Sequence, residues 1–186
     1  MGRKGTGKST MARSLISEAH RNIILDTLGD DYSRGAITSN VQRAAEYYNR
    51  VNEYGAFELV YRPRNDNDIE HFFSFARQTA NTVLWVDEVD RYCGPHSINE
   101  NLKWILNYGR HRQISTIGIA RRAASVHRDL SANADWIVVH QTRENRDLQY
   151  LSEFMDVGGL ETLERFEFKY SGKSSLFDWR KFGVKN

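Results

Sequence analysis

The 186-residue sequence predicts an α/β fold in which a mainly parallel sheet is flanked by helices. Three observations lead there. Apolar runs without alternation end in acids, Ile23-Ile24-Leu25-Asp26 and Val83-Leu84-Trp85-Val86-Asp87-Glu88, as in strands buried on both faces. Segments of helical period lie between such runs. The chain opens on a glycine-rich turn, Gly2-Arg3-Lys4-Gly5-Thr6-Gly7-Lys8-Ser9-Thr10, that feeds directly into a helix.

That helix starts near Gly7 and shows Met11, Ala12, Leu15, Ile16 and Ala19 at helical spacing. A strand follows over 22–26. Residues 27–40, rich in Gly, Asp and Ser, read as loop. A helix is expected over 41–54 and a strand over 56–61, stopped at Arg62-Pro63. Asn67 or Asp68 is expected to cap a helix with the face Ile69, Phe72, Phe73, Ala76 and Ala80. The acidic strand over 82–88 comes next, then a loop holding Cys93, Gly94 and Pro95. A helix over 98–109 buries Ile98, Leu102, Ile105 and Leu106. A strand over 114–120, a short helix and turn over 123–134, and a strand over 135–140 complete the alternation. Thr142 is expected to cap a helix running to about Asp156. Beyond Gly158-Gly159, a short helix reaches Leu163. The strand 166–170, the turn Ser171-Gly172-Lys173 and the strand 176–180 predict a small C-terminal β-hairpin.

The length suits one domain spanning 1–186 with a sizeable core. Lys plus Arg number 26 against 24 acids, so a net charge of +2 gives no global case for nucleic acid. The cations are nevertheless grouped, as Arg110-His111-Arg112 and as Arg121, Arg122, His127 and Arg128, which leaves a local basic patch open. A single cysteine, Cys93, rules out an intrachain disulfide. No apolar run is long enough to span a membrane and no signal-peptide pattern is present. Cys93-Gly94-Pro95-His96 offers two metal ligands and no second pair, so it is not read as a metal site. Tyr47, Tyr48 and Tyr54 are read as packing residues rather than base-stacking ones.

The opening turn matches G-x-x-x-x-G-K-[ST], the phosphate-binding loop or Walker A pattern. Its glycines let successive N–H groups point at phosphate oxygens, and the helix adds its positive end. Residues Gly2 through Thr10 are therefore the expected nucleotide-binding set, with ATP as ligand. Lys8 bridges the β- and γ-phosphates, and the Ser9 hydroxyl is a ligand for Mg²⁺. Asp87 and Glu88, the Walker B acids, complete the site: Asp87 holds Mg²⁺ through water, and Glu88 polarises the attacking water. Paired acids favour hydrolysis over transfer to a small acceptor. Nothing but Met1 precedes the loop, so its carrying strand is expected to lie upstream, or else another segment fills that slot. The strand count between loop and acids suggests the RecA-like and AAA-like branch. Arg110-His111-Arg112 is either a solvated helix end or an arginine finger offered to a neighbouring subunit. Arg121, at the end of the next strand, can sense phosphate or touch a nucleic-acid backbone.

The phosphate loop, Ile24-Leu25-Asp26, Leu84-Trp85-Val86-Asp87-Glu88, Gly109-Arg110-His111-Arg112 and Ile119-Ala120-Arg121-Arg122-Ala123-Ala124-Ser125-Val126 together resemble the FtsK/HerA superfamily of P-loop ATPases. With Val126-His127-Arg128-Asp129-Leu130 and Ala134-Asp135, they look most like the genome-packaging ATPases of tailless, membrane-containing viruses. The resemblance covers roughly Gly2 to Phe154. It implies a ring, commonly a hexamer, with ATP between subunits and double-stranded DNA through the centre. Viral capsid or membrane-vertex proteins are further implied partners, and the host cytoplasm or the virion is the implied location. It favours Arg110 as the finger acting in trans, with Arg112 next. Where the family usually has Gln, this chain has Arg121. The expected function is a Mg²⁺-dependent motor translocating DNA. The alternatives are a phage morphogenesis ATPase working at a membrane and a non-hydrolysing regulatory module, the latter disfavoured by Glu88.

Overall fold

A computed structural model of the chain describes residues 1–29, 32–53 and 55–172. In chain order the elements are α1 (Lys8–Glu18), β1 (Arg21–Leu25), β2 (Ala36–Thr38), α2 (Val41–Val51), β3 (Phe57–Tyr61), α3 (Asp66–Gln78), β4 (Thr82–Val86), β5 (Cys93–Gly94), β6 (Ser97–Ile98), α4 (Glu100–Tyr108), β7 (Ile114–Gly118), α5 (Arg128–Ala132), β8 (Trp136–His140), α6 (Asn145–Leu151) and β9 (Phe168–Gly172). They belong to two units. One comprises Met1–Glu18, Val89–Ser97 and the chain from Ile119 onward; the other comprises Ala19–Glu88 and Ile98–Gly118.

The second unit holds a five-stranded sheet of order β2-β3-β1-β4-β7, every neighbouring pair parallel. Its central strands are the unalternated apolar runs. Ile23, Ile24, Leu25, Leu84, Trp85 and Val86 are all buried, the burial that unalternated apolar runs in a parallel sheet imply. Trp85 brings a polar N–H into this interior and donates it to Asn22 Oδ1 at 2.8 Å, so the donor is satisfied. Of the predicted α3 face, Ile69, Phe72, Phe73 and Ala76 are buried, whereas Ala80 lies beyond the helix end at Gln78 and is exposed. Phe72 stacks on Tyr61 with centroids 4.8 Å apart. Tyr48 lies edge-on to Phe57 and Phe75, and its hydroxyl accepts the Ala80 N–H at 2.9 Å. Tyr48 is thus a packing residue; Tyr47 is half-buried beneath Arg50, and Tyr54 lies outside the described residues.

The first unit has its own core of Ala123, Ile137, Val139, Leu151 and Leu160. Strand β8 pairs antiparallel with β9, from Trp136 opposite Gly172 to His140 opposite Phe168. Gly172 is needed there, since a Cβ would stand 2.0 Å from the Trp136 ring. The segment leading into the glycine-rich turn runs beside β8: the His140 N–H donates to the Met1 carbonyl at 2.9 Å, and the Arg3 N–H to the Gln141 carbonyl at 3.2 Å.

Four local expectations change. The supposed loop 27–40 contains β2, whose three residues are too few to show a period and whose pairing with β3 alone makes it a strand. The cap of α3 is Asn65, two residues earlier than expected, with Oδ1 accepting the Asp68 N–H. Thr142 is no cap: α6 starts at Asn145, and the Thr142 N–H donates to the Leu160 carbonyl at 3.1 Å. The strand expected over 166–170 is β9, paired to β8, while the predicted partner 176–180 lies outside the described residues.

Candidate functional site

The glycine-rich turn adopts the curled backbone its composition demands. Gly2, Gly5 and Gly7 take φ of 140°, 82° and 108°, a region that side chains avoid. Two of the three are also packed against the protein. A Cβ on Gly2 would meet His140 Cβ at 2.9 Å, and one on Gly7 would meet the Phe166 ring at 2.6 Å. The turn closes on itself through the Arg3 carbonyl, which accepts the Thr6 hydroxyl at 2.9 Å and the Lys8 ammonium at 2.7 Å. Lys8 begins α1, and the first turn of that helix carries no acid. Its N-terminal partial positive charge meets no acid of the helix itself, and the Ser9 and Thr10 side chains lie on the same turn. Met11, Ala12 and Ile16 are buried and anchor the helix.

His140 is buried beneath this turn, and its Nδ1 is 3.0 Å from the Glu167 carbonyl. Burial pushes its pKa down to about 4, and the positive charge of Lys8 pushes the same way. The imidazole is neutral at pH 7, so Nδ1–H donates to Glu167, and no cation is added under the turn.

The same unit contains an open cavity of about 780 Å³ that includes Arg3 and Lys4 of the turn together with Asp90, Arg121, Arg122 and Arg143. The adjacent arginines have different surroundings. Arg122 is clamped to Glu144 at 2.6 Å and to Asp147 at 3.4 Å, and Asp147 also accepts the Ala124 N–H. Arg122 therefore fixes the entry to α6. Arg121 is exposed at the cavity wall. Arg128 is paired with Glu153 and packed over Tyr150 and Phe154. The second basic group read from the sequence is thus largely neutralised within the fold. Cys93 is buried, its thiol pushed up to about 11 by burial, and it has the character of a core residue.

In the other unit, Asp87 and Glu88 follow β4 at its carboxyl end, and both are buried. The Asp87 N–H donates to the Leu25 carbonyl at 3.2 Å, continuing the ladder with β1. The chain then turns sharply: Glu88 sits at φ 48°, and its N–H donates to Asp87 Oδ1 at 3.0 Å. A left-handed non-glycine residue costs of order 1 kcal/mol or more, and such strain gathers at working residues. Beside Asp87 at the end of β1 is Asp26, wholly buried, held by Arg62 Nε at 3.0 Å and by the Gly29 N–H at 3.1 Å. Arg62 also donates to the Tyr32 carbonyl. This Asp26–Arg62 pair fixes the loop after β1. The sequence marks Asp26 as the acid that ends an apolar run and Arg62 as a strand stop; their pairing across 36 positions leaves no local signal.

Arg110 and Arg112 lie in a turn of 3-10 helix before β7, both exposed. The Asn81 N–H donates to the Arg112 carbonyl, so this turn sits at the amino end of β4. Five strand residues, roughly 16 Å, separate that end from Asp87. Arg112 donates to the Gln78 carbonyl at 3.0 Å, closing the end of α3.

The sequence pattern of the ATPase family associated with various cellular activities (AAA) matches residues 1–139. The fold is similar to that of the genome packaging NTPase B204 from Sulfolobus turreted icosahedral virus 2. In complex with sulfate, that protein matches with a TM-score of 0.74 and 22% identity, over 92% of this chain and 88% of that one. In complex with AMPPCP the values are 0.73 and 20%, over 91% and 88%. B204, the DNA-packaging ATPase from Sulfolobus Turreted Icosahedral Virus, matches with a TM-score of 0.62 and 19% identity, over 93% and 95%. At these identities the likeness establishes the fold. No curated protein sequence matches the chain.

Proposed function

The chain belongs to the AAA family of ATPases, and from that premise we propose that it is a Mg²⁺-dependent motor that moves double-stranded DNA into a viral capsid. The observation that carries the reading is the glycine-rich turn: three glycines at positive φ, a helix start with no acid in its first turn, and Lys8 folded against the loop it serves. In this reading residues 1–186 work as one ATPase domain. The backbone of Gly2 to Thr10 cradles the phosphates of ATP, and Lys8 exchanges its bond to Arg3 for the β- and γ-phosphate oxygens.

Ser9 and Asp87 offer a hydroxyl and a carboxylate, the hard oxygen donors that suit Mg²⁺, and they are the residues that would hold it. The ion would supply neutralisation of the phosphate charge. Glu88 orients the attacking water and takes its proton. Its strained, buried backbone fixes that carboxylate in advance. Arg121 senses the phosphate end of the nucleotide. Arg110 lies too far along its own sheet to serve its own Glu88, which supports a role in trans within a ring, a hexamer in this reading; Arg112 is second choice because it already closes α3.

Packaging as the task is supported by the fold shared with B204, described as a genome packaging NTPase. Double-stranded DNA would be the moved polymer, capsid or membrane-vertex proteins further partners, and the host cytoplasm or the virion the place of action. The test is ATP turnover by the full chain with and without double-stranded DNA. Turnover that rises severalfold with DNA, and rises with DNA length, supports the motor. Turnover indifferent to DNA overturns that part while leaving the ATPase.

A further inference from the structure

The turn from Glu164 to Glu167 lies against the glycine-rich loop of the same unit. The Phe166 N–H donates to the Thr6 carbonyl at 3.0 Å, and the next carbonyl, that of Glu167, accepts from His140. The Phe166 ring touches the loop itself, since a Cβ on Gly7 would come within 2.6 Å of its Cδ1 and 3.2 Å of its Cα. Gly7 directly precedes Lys8, so this ring adjoins the backbone that holds the phosphates in the reading above.

Two properties of Phe166 are at odds with a packing role. Its backbone is at φ 74°, in the third position of a turn closed by the Glu167 N–H donating to the Glu164 carbonyl at 3.2 Å. That position suits glycine or asparagine, and a bulky residue there is a true outlier. The ring is also 48% exposed, which leaves about half of its surface open to a ligand. A large side chain held at a strained, half-exposed position beside a ligand loop points to a ligand. A flat ring beside a phosphate site offers a stacking surface to a nucleobase. Arg165 places its guanidinium 4.7 Å from the ring centroid and adds a cation to that surface.

We propose that Phe166, supported by Arg165, is the platform on which the purine base of the bound nucleotide stacks. The proposal rests on the ATP-binding reading of the loop. Phosphates are held by the backbone and Lys8, whereas the base is held by Phe166, so the two contributions separate by ligand.

The experiment is calorimetric titration of the full chain with ATP and with inorganic tripolyphosphate, which has no base. Wild type, Phe166→Gly, Phe166→Ala and Phe166→Tyr are compared. Removing the ring is expected to weaken ATP binding by roughly fivefold to a hundredfold, the range that base–aromatic stacking supplies. Tripolyphosphate binding stays within about twofold, and Phe166→Tyr keeps wild-type affinity for ATP. Phe166→Gly relieves the positive φ, and thermal melts recorded alongside show that the variant is folded, so its loss of ATP is separated from unfolding. Unchanged ATP affinity in Phe166→Gly overturns the platform. So does an equal fall for both ligands, which would make Phe166 a support for the loop. A wild type that binds neither ligand refutes the ATP-binding reading and the platform with it.

Discussion

Lys8 Nζ donates to the Arg3 carbonyl at 2.7 Å, so the loop's own backbone holds the charge meant for phosphate. Nucleotide binding would replace this exposed bond with bonds to anionic phosphate oxygens, in which both partners are charged. Lys8→Ala should therefore leave stability nearly unchanged and weaken ATP binding. The loss of hydrogen bonds to a charged group, about 1.5–3 kcal/mol, corresponds to roughly tenfold to a hundredfold in Kd. Calorimetry with ATP decides it, and an unaltered Kd would take the phosphates away from this loop.

Glu88 separates catalysis from folding in the opposite direction. Glu88→Gln should keep ATP binding and lower turnover by on the order of a hundredfold or more, since an amide cannot take a proton from water. Glu88→Gly should be as inactive, yet no less stable, because φ 48° suits glycine. Turnover and thermal melting of both variants give the answer. Wild-type turnover in Glu88→Gln would remove this carboxylate from the mechanism.

Arg110 tests the assembly. Subunits with Arg110→Ala keep Lys8 and Glu88, while subunits with Glu88→Gln keep Arg110. Each population alone should hydrolyse ATP poorly, and mixing them should restore part of the rate where a good Glu88 meets a neighbour's Arg110. Arg112→Ala serves as the comparison. Loss of its bond to the Gln78 carbonyl should lower stability slightly, by about 0.5–1 kcal/mol. If rings demonstrably mix and no activity returns, Arg110 is not the finger and Arg112 takes its place in the same experiment.

His140 makes stability depend on pH. Its folded pKa of about 4 lies below the usual 6.5 because the imidazole is buried, so the unfolded chain binds the extra proton. Its contribution is complete above pH 6.5 and is lost as pH falls toward 4. The amount is about 2–3 kcal/mol once partial solvent screening is allowed for. Urea unfolding of wild type and His140→Asn at pH 7.5, 6 and 4.5 measures it. The stability difference between the two proteins should shrink as the pH drops; a difference constant across the series would refute the assignment.

Features that depend on neighbours in sequence were legible without coordinates. The phosphate loop could be read because its glycines, its lysine and the start of α1 are consecutive. The parallel sheet could be read because burial leaves unalternated apolar runs, Ile23 to Leu25 in β1 and Val83 to Val86 in β4. Asp87 and Glu88 stood out because they end such a run. Tertiary structure alone decided the rest. It separated Arg121 from Arg122 by bringing Glu144 and Asp147 to the latter, and Arg112 from Arg110 by placing the Gln78 carbonyl within reach of one. It paired Asp26 with Arg62, made β2 a strand by giving it an edge to join, and laid Phe166 on Gly7 across 159 positions of chain. Local geometry is written by propensity and period, which act over a few residues. A side chain's charge partner or ligand surface is set by whatever the fold brings beside it, and no spacing in the sequence carries that distance.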